Sequence, residues 1–159
     1  MEVVVIDYKG GNVQSLLFAL ERLGVQATLT QPFLGICLGM QLLGRHSEEQ
    51  DTPLLGILPF DVTRFSAETT PKVPHMGWNT LHGCRSPLLH GLPEAAYVYF
   101  VHSYRAPVGP YTLAEARYPE EAPFSAAVQS SNFYGVQFHT EKSGAVGEQI
   151  LENFLLRCG

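Results

Sequence analysis

At 159 residues the chain is the size of one domain, and with 45% hydrophobic and 16% charged residues it is too apolar to be disordered. A formal net charge of −5 leaves no basic excess to neutralise phosphates, which argues against a general affinity for nucleic acid. No apolar run approaches the ~20 residues that span a bilayer, and three cysteines without short repeated spacing fit neither a disulfide framework nor a zinc site.

The opening MEVVVIDYKGGN lacks the basic and apolar regions of a secretory leader, so a cytoplasmic setting is expected. Residues 2–7 (EVVVID) are a β-branched run before a Gly-Gly pair and read as a buried parallel strand. Asn12 is placed to cap a helix whose apolar positions Val13, Leu16, Leu17, Leu20 and Leu23 recur at helical spacing, with Gly24 as the stop. Residues 25–30 (VQATLT) form a second strand, giving the β-α-β start of a doubly wound α/β sheet. Residues 33–36 (FLGI) read as another buried strand leading into a helix around residues 38–45. Only Gln31-Pro32 separates it from the second strand, whereas a parallel neighbour needs a crossover of about a dozen residues or more. Gln-Pro is not hairpin chemistry either. A segment is therefore expected to be missing between Thr30 and Phe33, either deleted from the protein or lying outside these 159 residues.

Short strands then follow at 55–65, 73–81, 96–105, 112–118, 124–130 and 133–139, punctuated by Pro59, Gly83, Pro107 and Gly109. They read as an antiparallel or mixed extension of the sheet. The last element, 144–157, is helical, with Val146, Ile150, Leu151, Phe154 and Leu155 on one face and Ser143 as cap.

Two segments carry chemistry. In FLGICLGM (33–40), Cys37 stands between strand and helix with Gly35 and Gly39 two residues to either side, the cysteine counterpart of a G-x-S-x-G nucleophile elbow. Small flanking residues suit a tight turn, the helix N-terminus favours a thiolate, and the Leu38 N–H points where an oxyanion would form. Cys84 and Cys158 lack such flanks. In FYGVQFHTE (133–141), strand alternation puts Gln137, His139 and Glu141 on one side, so His139 can take a thiol proton while Glu141 fixes its tautomer. Standing alone, that pair would read as a surface His-Glu. His46, His82 and His90 fall near turns, and no histidine pair has metal-ligand spacing.

PFLGICLGMQLL (32–43) and QFHTEKSG (137–144) resemble the class I, triad-type glutamine amidotransferases. DYKGGN (7–12), KVPHMGWN (72–79), YFVHSY (99–104) and FHTEKSG (138–144) are similar to the glutaminase subunits of imidazole glycerol phosphate synthases, enzymes of histidine biosynthesis. The likeness implies a mostly parallel doubly wound sheet with an antiparallel extension, in one amidotransferase domain over 1–159, needing no cofactor or metal. It implies Cys37 as the nucleophile that forms a γ-glutamyl thioester, His139 as base, Glu141 as the orienting acid and the Leu38 backbone in the oxyanion hole. Gly39, Gln41, His102, Ser103 and Tyr104 would bind substrate glutamine. Asn12, Met76, Trp78 and Lys142 would face a synthase subunit of β/α-barrel fold, in a heterodimer that takes up the ammonia, with no nucleic acid or membrane involved. The family has a Pro-Gly-rich oxyanion loop and flanking helices where this chain has Gln31-Pro32. Two alternatives stay open: a class I glutaminase serving nucleotide, anthranilate or pyridoxal phosphate synthesis, and a catalytically silent partner-binding subunit.

Overall fold

Two short parallel strands, β1 (Val3–Ile6) and β2 (Ala27–Thr30), run in register from Val3↔Ala27 to Ile6↔Thr30. The computed structural model describes residues 3–6, 21–22, 24, 27–30, 32–66, 68, 72–119 and 121–158, with 3–6 and 27–30 as backbone only. The helix expected after Asn12 lies outside these residues, apart from a helical stub at Glu21–Arg22 and Gly24 at φ 72.

β3 (Phe33–Ile36) does not pair with β2. It pairs in parallel with β12 (Phe133–Val136), from Phe33↔Phe133 to Ile36↔Val136. Antiparallel ladders then add β11 (Phe124–Ser130) and β10 (Thr112–Ala116), for the order β10-β11-β12-β3. Among the described residues β1–β2 and β3–β12 are thus separate parallel pairs. This separation agrees with a missing element between Thr30 and Phe33.

The helix after β3 is shorter than expected: α1 covers only Leu38–Gln41. The chain turns away because Gly44 lies so close to Phe60 that a Cβ there would overlap its ring, and because the Arg45 N–H donates to the Phe60 carbonyl at 2.8 Å. Strands β4 (His46–Ser47) and β5 (Thr52–Pro53) follow, too short for any sequence period to reveal. β6 (Asp61–Arg64) is only the end of the strand expected over 55–65, since Gly56 at φ 67 and Pro59 keep the preceding residues irregular. It pairs with β9 (Tyr104–Arg105), and β7 (His75–Thr80) and β8 (Tyr97–His102) make an antiparallel ribbon from His75↔His102 to Thr80↔Tyr97.

Two apolar clusters hold these pieces together. One gathers Phe65, Leu81, Val98, Phe100, Phe124, Phe138 and Ile150, and the other Met40, Leu43, Phe60, Val62, Val128 and Phe133. α2 (Gly144–Arg157) has the expected bounds and most of the expected face: Ile150 is buried, Val146 and Phe154 pack against the core and Leu151 is half-buried, with Gly147 and Asn153 buried beside them, while Leu155 is 76% exposed. Gly147 sits against the Thr140 carbonyl with no room for a Cβ. Leu155 is about 140° around the helix from Ile150. Asn153 spends its amide on the Leu88 and His90 carbonyls, at 3.1 and 2.8 Å. Among the described residues no helix is long and apolar enough to cross a membrane.

Candidate active site

Cys37 follows β3 and precedes α1 with φ 53 and ψ −108, a conformation that a side chain with a Cβ rarely adopts. Its N–H continues the β3–β12 ladder to the Val136 carbonyl at 2.8 Å, so the sheet enforces the strained turn. Gly35 is sterically required, since a Cβ there would overlap the Gly39 carbonyl and the Met40 nitrogen. Gly39 is different, because a Cβ on it would meet open space. The close-approach argument therefore holds on one side of the elbow only.

The thiol points at the Val101 carbonyl, 3.9 Å away, and lies 3.7 Å from the Gln137 side-chain nitrogen. Burial pushes its pKa above the usual thiol value; the Leu38 N–H and Gln137 pull it down, and the Glu141 carboxylate pushes it further up. At neutral pH the group is a thiol, which needs a base to become a nucleophile. A four-residue α1 contributes little dipole. The individual donors Leu38 and Gln137, rather than the helix end, are what favour sulfur charge here.

His139 and Glu141 do meet: Nδ1 of His139 is 2.7 Å from Oε1 of Glu141. The cause is not strand alternation. β12 stops at Val136, and a 3₁₀ turn over Thr140–Lys142 brings the carboxylate back beneath the ring. Two bonds pin the His139 backbone, from its N–H to the Tyr99 carbonyl at 2.9 Å and from the Ser143 hydroxyl to its carbonyl at 2.6 Å. Ser143 thus makes no side-chain cap on α2; it also accepts from the Tyr99 N–H and ties the turn to β8. With Nδ1 occupied, Nε2 of His139 has no hydrogen-bond partner among the described residues and is the atom able to take a proton. For Glu141, burial alone would raise the pKa, but its own N–H, His139 and Lys142 hold it below the usual carboxylate range.

A cleft opens beside Cys37, walled by Leu38, Gln41, Glu49, His102, Ser103 and Tyr104, with Pro74 and Val101 completing it. Four of the five expected substrate residues are there; Gly39 is not among the lining residues. Gln41 borders the cleft, yet its amide nitrogen is engaged internally by the Tyr104 carbonyl at 3.1 Å and by Gln137 Oε1 at 2.9 Å. Glu49 has one usable sequence signal, the Ser47-Glu48-Glu49 run so soon after the elbow helix. For Gln137, strand alternation supplies a face but no role.

Met76 and Trp78 are each 55% exposed on the outer face of the β7–β8 ribbon, so neither is core. The Trp78 ring meets Tyr99 edge-on at 6.0 Å, and the Lys142 ammonium lies 5.9 Å from the same Tyr99 ring. These residues form one apolar patch with a cation at its edge, next to His139. Asn12 lies outside the described residues.

Comparison with known proteins fits this arrangement. Residues 19–158 match the family "Glutamine amidotransferase class-I". The chain belongs to the class I glutamine amidotransferase family. It is 43% identical over 196 residues to imidazole glycerol phosphate synthase subunit HisH of Bacteroides fragilis, across 98% of this chain and 99% of that protein. It is 56% identical over 128 residues to the protein of the same name from Escherichia coli K12, across 79% of this chain and 64% of that protein. In fold it is similar to a proposed GMP synthase component from Thermoplasma acidophilum, with TM-score 0.55 and 17% identity over 99% of this chain and 94% of that one. The Bacteroides alignment has 196 positions for a chain of 159 residues, so roughly forty positions of that relative have no counterpart here.

Proposed function

We propose that the chain is the glutaminase subunit of an imidazole glycerol phosphate synthase, acting in histidine biosynthesis as one cytoplasmic amidotransferase domain. The observation that carries this reading is the end-to-end alignment with a relative bearing that name, and the strained Cys37, which feels the Glu141 carboxylate of the bonded His139–Glu141 pair, supports the chemistry.

In this mechanism Nε2 of His139 takes the Cys37 thiol proton while Glu141 steadies the imidazolium. The sulfur attacks the γ-carboxamide carbon of glutamine, and the Leu38 N–H faces the oxygen that becomes negative. His139 then returns the proton to the leaving nitrogen, ammonia departs, and a γ-glutamyl thioester remains on Cys37. Water, deprotonated by His139, hydrolyses it to glutamate. Glu49 is suited to the substrate's α-ammonium, and the Ser103–Tyr104 backbone forms the opposite wall. The patch of Met76, Trp78 and Lys142 suits docking onto a β/α-barrel synthase subunit, with Asn12 added from the N-terminal part, so that ammonia passes to the partner.

The test is glutamate release from glutamine by the chain mixed with a synthase barrel subunit, beside Cys37→Ala, together with growth of a histidine auxotroph lacking its own glutaminase subunit. Release that depends on Cys37, plus growth, upholds the reading; release without growth points to another class I pathway. One observation favours a second reading. The roughly forty unmatched positions, placed between Thr30 and Phe33, would carry the second oxyanion donor. A protein truly without them is a binding subunit with little or no activity.

A further inference from the structure

A run of hydrogen bonds, buried at His75–His102 and Gln41–Gln137, crosses the protein from β7 to the thiol, and its direction follows from two carbonyls that can only accept. The Tyr104 carbonyl is 2.7 Å from Nδ1 of His102, so that nitrogen carries the hydrogen. Burial keeps the His102 ring neutral, with a pKa of about 3, so its Nε2 is bare and accepts from Nδ1 of His75 at 3.0 Å. Nε2 of His75 in turn accepts from the Asn79 amide at 3.3 Å, and that amide also donates to the Arg117 carbonyl at 2.8 Å.

The same Tyr104 carbonyl orients the other branch. It takes a hydrogen from Gln41 Nε2, which gives its second to Gln137 Oε1. Gln137, fully buried, is left with its NH₂ toward Cys37. Turning either amide over would set oxygen against oxygen or NH₂ against NH₂ in a site closed to water.

We propose that Gln137 is a positioning residue for Cys37: its amide, locked by Gln41 and the Tyr104 carbonyl, holds the sulfur as a hydrogen-bond acceptor and favours the thiolate when His139 removes the proton. The thiol proton's partner, the Val101 carbonyl, repels the sulfur once it is charged, whereas Gln137 and the Leu38 N–H strengthen their hold. Gln137 carries no charge, and the titratable groups around the sulfur are Glu141 with its partner His139 from the turn after β12, His102 from β8 and Glu49 across the cleft. The inference rests on Cys37 being the nucleophile.

The experiment is the pH dependence of Cys37 alkylation by iodoacetamide in the full chain, with peptide masses separating Cys37 from Cys84 and Cys158. Gln137→Met removes the amide without adding charge, and Gln137→Glu keeps the oxygen that Gln41 uses but replaces the donating NH₂ with a carboxyl oxygen that repels the thiolate when ionised. Each should move the alkylation midpoint up by about one pH unit, which is roughly tenfold slower reaction at neutral pH. A loosened active site would change the rate at every pH without moving the midpoint. An unmoved midpoint in Gln137→Glu overturns the proposal even if Gln137→Met does not fold. If Cys37→Ala still releases glutamate, the nucleophile assignment falls instead, and the proposal with it.

Discussion

Cys37 is held at φ 53 by a ladder bond on one side and by Gly35 on the other, so its side chain stands clear of the sheet. In the proposed mechanism its neighbours divide the chemistry: His139 removes the proton, and the Leu38 N–H and Gln137 favour the charged sulfur. Replacing Glu141 by Gln would leave His139 without its 2.7 Å carboxylate partner, and kcat for glutamine hydrolysis should drop by ~10²–10⁴ with KM little changed. Steady-state kinetics in the presence of the partner checks this. Glu49→Gln, by contrast, removes a carboxylate that lines the cleft and is not part of the acid-base pair. It should raise KM about tenfold or more and leave kcat within a few-fold, as expected when ground-state and transition-state binding are lost together. The proposed triad was legible because Cys37 is one of three cysteines and stands in an elbow pattern, while His139 and Glu141 follow one another at a two-residue spacing at the end of an apolar strand. Gln137 and Glu49 were not, since a buried amide and an acidic residue after a helix look the same whether they serve a site or merely fit the fold.

Elements were read best where their periodicity is long. α2 and the strand β11 lie where periodicity and turn residues put them, and β10 and β12 begin where expected. The departures have a common origin in tertiary contacts: Phe60 truncates α1 and the Tyr99 and Ser143 bonds end β12 early, while Thr140 packs just as closely on Gly147 of α2. That last contact yields a prediction. Gly147→Ala pushes a methyl into the Thr140 carbonyl and should displace the turn that carries Glu141, costing ~1–3 kcal/mol by strain of this kind. It should depress activity in parallel, as chemical denaturation and the same kinetic assay would reveal; Leu155→Lys, on the exposed side of α2, should leave both unchanged. The β7–β8 ribbon carries a second prediction. Burial lowers the pKa of His75 to about 4 and of His102 to about 3, from the ordinary 6.5. The unfolded chain therefore takes up protons first as pH falls. The ribbon's contribution to stability is full above pH 6.5 and disappears progressively toward pH 4 and below. Between pH 7 and 4.5 the Tm should decline by roughly 5–10 °C, and thermal melts of His75→Phe should show a shallower decline.

Across the whole molecule, the sequence already betrayed its discontinuity through two strands joined by Gln31-Pro32. The structure assigns those strands to different sheets, and the relatives carry roughly forty positions this chain does not. Intact mass of the purified protein decides what that means: a value well above 17.5 kDa restores the oxyanion segment, and a match means that the protein is damaged. The exposed Met76–Trp78–Tyr99 patch gives a separate expectation. Trp78→Ala should weaken binding of the synthase barrel by ~2 kcal/mol or more, the range of a central aromatic anchor, while leaving the isolated chain's fold intact. Titration calorimetry would measure it.

The parallel pairing of β3 with β12 joins segments one hundred positions apart, the separation between Cys37 and Gln137. A ribosome releases the elbow early, yet in the proposed mechanism the groups that activate it are absent until residues 133–141 have emerged and found their place. Glutamine hydrolysis is thus withheld from every nascent or prematurely terminated chain, and such long-range pairing is a slow step in folding. Under the proposed mechanism, free ammonia would be generated only after β12 and the turn behind it have paired with the elbow strand.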